Sequence, residues 1–187
     1  MAVRPIRIYG DPVLRVRAAE VSAFDESLRA LVQDLYDTMK AYNGLGLAAP
    51  QVGVSQRIFV VEVPIDDERR DRFAVVNPQL DMKEGKETSE EGCLSMPGIN
   101  EDVVRATELR MRGFDEHGKP FERRVDGLLA RAVQHETDHL DGVLFTDRLS
   151  PLKRQFLRKV LDELARGEVP EGYHPPSVRG GTGGERL

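Results

Sequence analysis

The sequence predicts an α+β fold, a single compact domain of mixed and antiparallel strands packed around a central helix that carries two histidines, with a further C-terminal helix. Two observations predict it. Strand-like runs outnumber helical ones and do not alternate with them regularly, which disfavours a doubly wound sheet. The chain has 187 residues, a length that suits one domain burying roughly 70% of the surface its unfolded form exposes.

From Phe24 to Tyr42 the apolar residues Leu28, Leu31, Val32, Leu35 and Met39 recur at helical spacing. Ser22 and Asp25 resemble a helix start, and Asn43-Gly44 a stop. Arg57 to Val63 and Phe73 to Asn77 are rich in β-branched and aromatic residues and read as strands. The charged run PIDDERRD between them reads as a solvated loop. From Val103 to Val125 the pattern is a hairpin: Leu109 and Met111 alternate with charged residues, Asp115 to Gly118 turn, and Phe121 and Val125 alternate on the return. Asp126 is then placed to cap a helix running to about Leu140, with Gly142 as its stop. A last helix is expected from about Pro151 to Arg166. We place the folded domain at 1–167 and a Gly/Pro-rich tail at 168–187.

Lys and Arg number 27 against 32 Asp and Glu, so the net charge of −5 gives no reason to expect a nucleic-acid binder. No apolar run approaches the roughly 18 residues a membrane span needs, and MAVRPIRIYG lacks the apolar stretch of a signal peptide. The one cysteine, Cys93, has no internal disulfide partner. These features favour a cytoplasmic location.

The central helix contains His135-Glu136-Thr137-Asp138-His139. Residues four apart lie one turn apart on one helix face, so both imidazoles can reach a single ion, which makes this the metal-binding helix. Glu136 projects about 100° round from His135, beside the ion rather than on it, where a general base belongs. The bland alternative is a surface helix with two histidines by accident. His117, in the hairpin turn, and His174, in the tail, are expected to be solvated and idle. A catalytic site of this kind takes three protein ligands. In the pattern H-E-x-x-H-x-x-G-x-x-H the third is a histidine, but here Phe145 stands at that position. Glu163 remains a candidate, in a basic neighbourhood that looks like surface. The other is Cys93, in Glu90-Glu91-Gly92-Cys93-Leu94-Ser95. A lone cysteine is usually a small buried hydrophobe, but carboxylates and a glycine are unusual neighbours for that role.

Gly44-Leu45-Gly46-Leu47-Ala48-Ala49-Pro50-Gln51 formally fits a dinucleotide fingerprint. That fingerprint needs a strand before it and a helix after it, whereas here a helix precedes and Pro50 and a strand follow. The run reads instead as an extended segment whose glycines admit another backbone, to which a peptide could add as a strand; a plain loop is the alternative.

G-L-G-L-A-A-P-Q at 44–51, E-G-C-L-S at 91–95 and Q-H-E-T-D-H-L at 134–140 resemble, in order and spacing, the three signature motifs of the peptide deformylases. The similarity runs from about Ile6 to Arg154 and includes D-R-L-S-P-L-K-R at 147–154. The resemblance implies removal of the formyl group from the N-terminal formyl-methionine of nascent polypeptides. It implies Cys93, His135 and His139 as metal ligands and Glu136 as general base and acid. Gln51, through its side-chain amide, and Leu94, through its backbone N–H, would donate to the oxyanion. Leu45, Gly46 and Gly92 would pair with the substrate backbone, and Gly44, Leu128 and Ala132 would line the methionine pocket. Arg131 is expected to flank that pocket with its stem and send its charge to water. The donor set suits zinc, iron, nickel or cobalt, and the resemblance favours Fe(II) in the cell. Family members can dock on the ribosome through a C-terminal basic helix, which makes a ribosome contact a hypothesis for helix 151–166, with its Lys153, Arg154, Arg158, Lys159 and Arg166; a merely solvated face is the alternative.

Overall fold

The computed structural model describes residues 2–170. Its main elements are α1 (Glu26–Ala41), β1 (Gly46–Ala48), β2 (Ile58–Pro64), β3 (Arg70–Glu84), β4 (Glu87–Cys93), β5 (Met96–Arg105), β6 (Glu108–Phe114), β7 (Pro120–Asp126), α2 (Gly127–Leu140) and α3 (Pro151–Ala165). Short 3-10 turns cover Pro12–Arg15, Ala49–Val52 and Phe145–Arg148. The α+β class holds. All pairings between these strands are antiparallel, and among the described residues parallel geometry is confined to an isolated bridge between Ala19 and Gln56.

One sheet has the order β1-β2-β3-β6-β7, and β4 and β5 form a separate two-stranded ribbon. The apolar run of β2 is continuous because both its faces are covered. Ile58 and Val60 pack with Leu28, Leu31, Leu35 and Met39 of α1. Phe59 and Val61 point the other way, into a cluster with Ala130, Val133 and Leu140 of α2. β3 repeats the alternation, with Ala74 and Val76 toward α1 and Val75 toward α2. The helix bearing the two histidines is therefore fixed against one face of the large sheet. A third cluster joins β5 to α3 through Met96, Ile99, Val103, Leu161 and Leu164.

Asp25 caps α1, accepting the N–H of Leu28 at 3.1 Å; Ser22 takes no part in the cap. Asp126 occupies the cap position of α2, yet its carboxylate makes no capping hydrogen bond. The chain enters that helix instead through Gly127 at φ 51°, whose N–H is held by the carbonyl of Thr107. Gly142 stops α2 at φ 71°, where a side chain would run into the backbone of Arg15. The hairpin begins at Glu108 rather than Val103, which belongs to β5, and β3 extends well beyond both ends of the expected 73–77. The β4–β5 ribbon was not foreseen. Of the expected 168–187 tail, residues 171–187 lie outside the described residues, as does His174.

Candidate metal centre

Cys93 ends β4, at an irregularity where Gly92 faces Asn100 but Cys93 faces Met96. Such a bulge re-aims a side chain, and here the thiol meets the histidine face of α2. One ligand atom each from Cys93, His135 and His139 lies within 4.8 Å of the others. Sγ of Cys93 is 3.3 Å from Nε2 of His139, and the two imidazole rings are 5.0 Å apart between centroids. A thiol and two imidazoles converging on one point suit a divalent transition-metal ion. Burial pushes the pKa of His139 well down, which keeps its imidazole neutral, the form that ligates. Glu163 sits on α3 facing Lys159 and is not part of this group. Phe145 is buried, its ring stacked 6.2 Å from that of His135.

Glu136 is buried, and its Oε2 has no hydrogen-bond partner among the described residues. Burial pushes its pKa up to about 7, with the charge of His135 opposing. Gly46 faces it so closely that a Cβ there would collide with the carboxylate; the glycine is required by the proximity of Glu136 to β1. Gln51 is held in the 3-10 turn, its Oε1 accepting the N–H of Ala48 at 2.8 Å. Its Nε2 then points toward Ser95 Oγ at 3.3 Å and Cys93 Sγ at 3.6 Å.

A cleft of about 670 Å³ opens beside these groups, lined by Gly44, Leu45, Gly46, Gln51, Gly92, Cys93, Leu94, Leu128, Ala132, His135 and Glu136, every expected site residue except the fully enclosed His139. Two strand edges border it. β1 ends the large sheet and β4 pairs only with β5, so each presents backbone groups that an extended chain can join. Leu128 is 47% exposed at the rim of the cleft.

Arg131 lines the cleft as expected, but the expectation that its charge reaches water is overturned. Its guanidinium is buried and turned inward, donating to Glu91 at 2.7 Å and to the carbonyls of Val103 and Glu87 at 3.0 Å. Three donors converge on Glu91: Arg105 through two bonds of 2.9 Å, Arg131, and Nδ1 of His135 at 3.1 Å. Burial would raise the pKa of Glu91, but the hydrogen bonds from Arg105 and His135 outweigh it and hold the carboxyl well below its ordinary range. Burial would lower the pKa of His135, but hydrogen bonds with Cys93 and Glu91 keep it well above its ordinary value. An ionised Glu91 holds a proton on Nδ1, so Nε2 gives up its proton when the ring ligates. Asp138, one helical turn from Gln134, accepts from Arg105 and Arg148 behind this pair. Sequence reasoning missed this layer. The available signal was Glu91 itself, a carboxylate two residues before a candidate ligand in a chain whose candidate histidine ligands would need an outer acceptor.

A helix-borne H-E-x-x-H pair, a cysteine as third donor and a buried carboxylate alongside define a metal-dependent hydrolase. The model of the Polypeptide deformylase family matches residues 3–155. The peptide deformylase of Acidothermus cellulolyticus is 50% identical over 165 residues, 87% of this chain and 88% of that protein. That of Alkalilimnicola ehrlichii is 46% identical, covering 92% and 97%. Among solved structures, a peptide deformylase from Legionella pneumophila superposes with a TM-score of 0.80 at 46% identity, over 89% of this chain and 98% of that one. The Ehrlichia chaffeensis peptide deformylase in complex with actinonin gives 0.82 at 38% identity, over 90% and 99%. The chain belongs to the polypeptide deformylase family.

Proposed function

We propose that this chain hydrolyses the formyl group from the N-terminal formyl-methionine of nascent polypeptides, with Cys93, His135 and His139 as the metal ligands and Glu136 as the proton carrier. The observation that carries the reading is the convergence of those three donors beside a buried carboxylate oxygen that has no hydrogen-bond partner among the described residues.

A divalent ion held by these residues supplies a Lewis acid that polarises a carbonyl and makes water more acidic. Glu136 takes a proton from the attacking water through its free oxygen and returns it to the amide nitrogen as the carbon–nitrogen bond breaks, so formate and a free amine leave. The Nε2–H of Gln51 and the backbone N–H of Leu94 donate to the oxygen on which negative charge builds; one such donor is worth about 3 kcal/mol. Leu45 and Gly46 on one edge and Gly92 on the other hold the substrate backbone. Gly44, Leu128 and Ala132 surround the methionine side chain. Glu91 acts through His135, keeping its tautomer and orientation.

The preferred ion is Fe(II), with Zn(II), Ni(II) and Co(II) also compatible with the donors. The catalytic unit spans 1–167, with 168–187 as an appended tail, and it works in the cytoplasm where new chains emerge. No helix among the described residues is long and apolar enough to cross a membrane. A ribosome contact through helix 151–166 rests on its five cations. Lys153, Arg158, Lys159 and Arg166 each have a carboxylate within 4.0 Å, which leaves Arg154 without an acidic partner among the described residues. Unchanged co-sedimentation with ribosomes after replacing all five removes that contact. The activity is tested by formate release from formyl-Met-Ala-Ser with metal-loaded protein kept from air; absence of formate refutes it.

A further inference from the structure

A second cavity, of about 440 Å³, lies behind α2. Gln134, Thr137 and Asp138 line it from the helix and Asp141 from its C-terminal cap, a stripe that excludes His135 and Glu136. The opposite walls are the end of β3, the β3–β4 turn and the end of β5. Five cations face it, Arg57, Lys83, Lys86, Arg105 and Arg148, against the carboxylates of Asp138 and Asp141. In a chain of net charge −5 this is a local reversal of sign.

Neither carboxylate is free to neutralise the excess. Asp138 is taken by Arg105 and Arg148, and Asp141 accepts from Arg57 at 2.8 Å. Arg105 is spent, its guanidinium shared between Glu91 and Asp138, but the other four cations have capacity to spare. Arg57, with a side chain only 8% exposed, spends Nη1 on Leu140 O and Asp141, leaving Nε and Nη2 without an acceptor among the described residues. Arg148 binds Asp138 through Nε and Nη2, leaving Nη1. Lys83 and Lys86 have no ion-pair partner among the described residues and are both exposed on the mouth of the cavity. Forked guanidinium donors with flanking ammonium groups match a tetrahedral, multiply charged oxyanion, which offers more acceptor sites than a single carboxylate.

We propose that this cleft binds a phosphate group, with Arg57 and Arg148 as fixed donors and Lys83 and Lys86 closing over it. The phosphate is carried either by a small free molecule or by an RNA backbone, and the test separates these sources.

Zinc-loaded protein is titrated with inorganic phosphate at constant ionic strength while backbone amide shifts are followed. Saturable shifts are expected at Gly85, Ala106 and Thr137, with Gly46 and Gly92 at the metal cleft unmoved. The double variant Lys83→Ala/Lys86→Ala should weaken binding at least tenfold and leave formate release unchanged. A parallel titration with a single-stranded oligoribonucleotide shows the source: shifts of the same amides at far lower concentration than phosphate identify a polymer-borne group, and the reverse order a free one. Shifts centred on Gly46 and Gly92, absence of saturation, or binding indifferent to the double variant each overturn the proposal.

Discussion

Replacing Glu91 with Gln keeps the shape of the side chain but removes its charge and turns one acceptor oxygen into a donor. In the native fold both oxygens are occupied by donors: Oε1 by Arg105 and Arg131, Oε2 by Arg105 and His135. The new amide N–H₂ therefore faces a donor whichever way it is turned. Arg105 keeps Asp138 as a partner, but Arg131 is left with carbonyl oxygens and a carboxylate of Glu87 at 3.9 Å. Removing one partner of a buried ion pair costs about 3–5 kcal/mol, and the surviving Asp138 contact places this case near the lower figure. For a chain of this size about 3 kcal/mol lowers Tm by roughly 6–12 °C. His135 also loses the acceptor that fixes its tautomer, so metal affinity should fall about 10–100-fold. Urea unfolding and competition with a chelator measure the two effects separately. Lost stability with unchanged metal affinity refutes the positioning role of Glu91, and no change in either refutes the network.

Gly46→Ala drives a methyl group into the Glu136 carboxylate; formate release should fall at least a hundredfold while metal content, measured by atomic absorption, stays at the wild-type value. Gln51→Ala removes the proposed oxyanion donor and should lower kcat by about 10²–10³; because it also strips the Ala48 N–H of its acceptor, urea unfolding should register a loss of about 1–3 kcal/mol. A larger effect on KM than on kcat contradicts the assigned role. Cys93→Ser exchanges a soft thiolate for a weak hydroxyl donor, and equilibrium dialysis should show sharply weaker metal binding; unchanged affinity removes Cys93 from the ligand set.

The elements legible in the sequence were those whose burial is written locally. α1 shows its face through Leu28, Leu31, Leu35 and Met39, and β2 shows two covered faces in an unbroken apolar run. The β4–β5 ribbon escaped because its first strand, ETSEEGC, is exposed along most of its length. Such a strand is built by backbone pairing to β5 rather than by an apolar pattern. The ends of β3 were hidden for the same reason, its charged residues there being paired across to β2 and β6. At the site, residue types with their own chemistry announced themselves: two histidines at helical spacing, one cysteine, a glutamate between them. Arg131 was misread because a lone arginine on an apolar face normally reaches water. What holds it inside is Glu91, forty positions away in sequence, and only the fold brings the two together. The glycines were legible as sites of close approach, though not that Gly46 makes room for a carboxylate of the chain itself.

The central claim is that three donors hold the ion while Glu136 moves the proton. Its most direct test measures bound metal and formate release from formyl-Met-Ala-Ser side by side in the wild type and in Glu136→Gln, under anaerobic conditions. The account predicts one ion per chain in both proteins, with turnover in the wild type and a loss of at least 10²–10⁴-fold in the variant. Metal lost together with turnover would make Glu136 a ligand, and undiminished formate release from the variant would contradict the account outright.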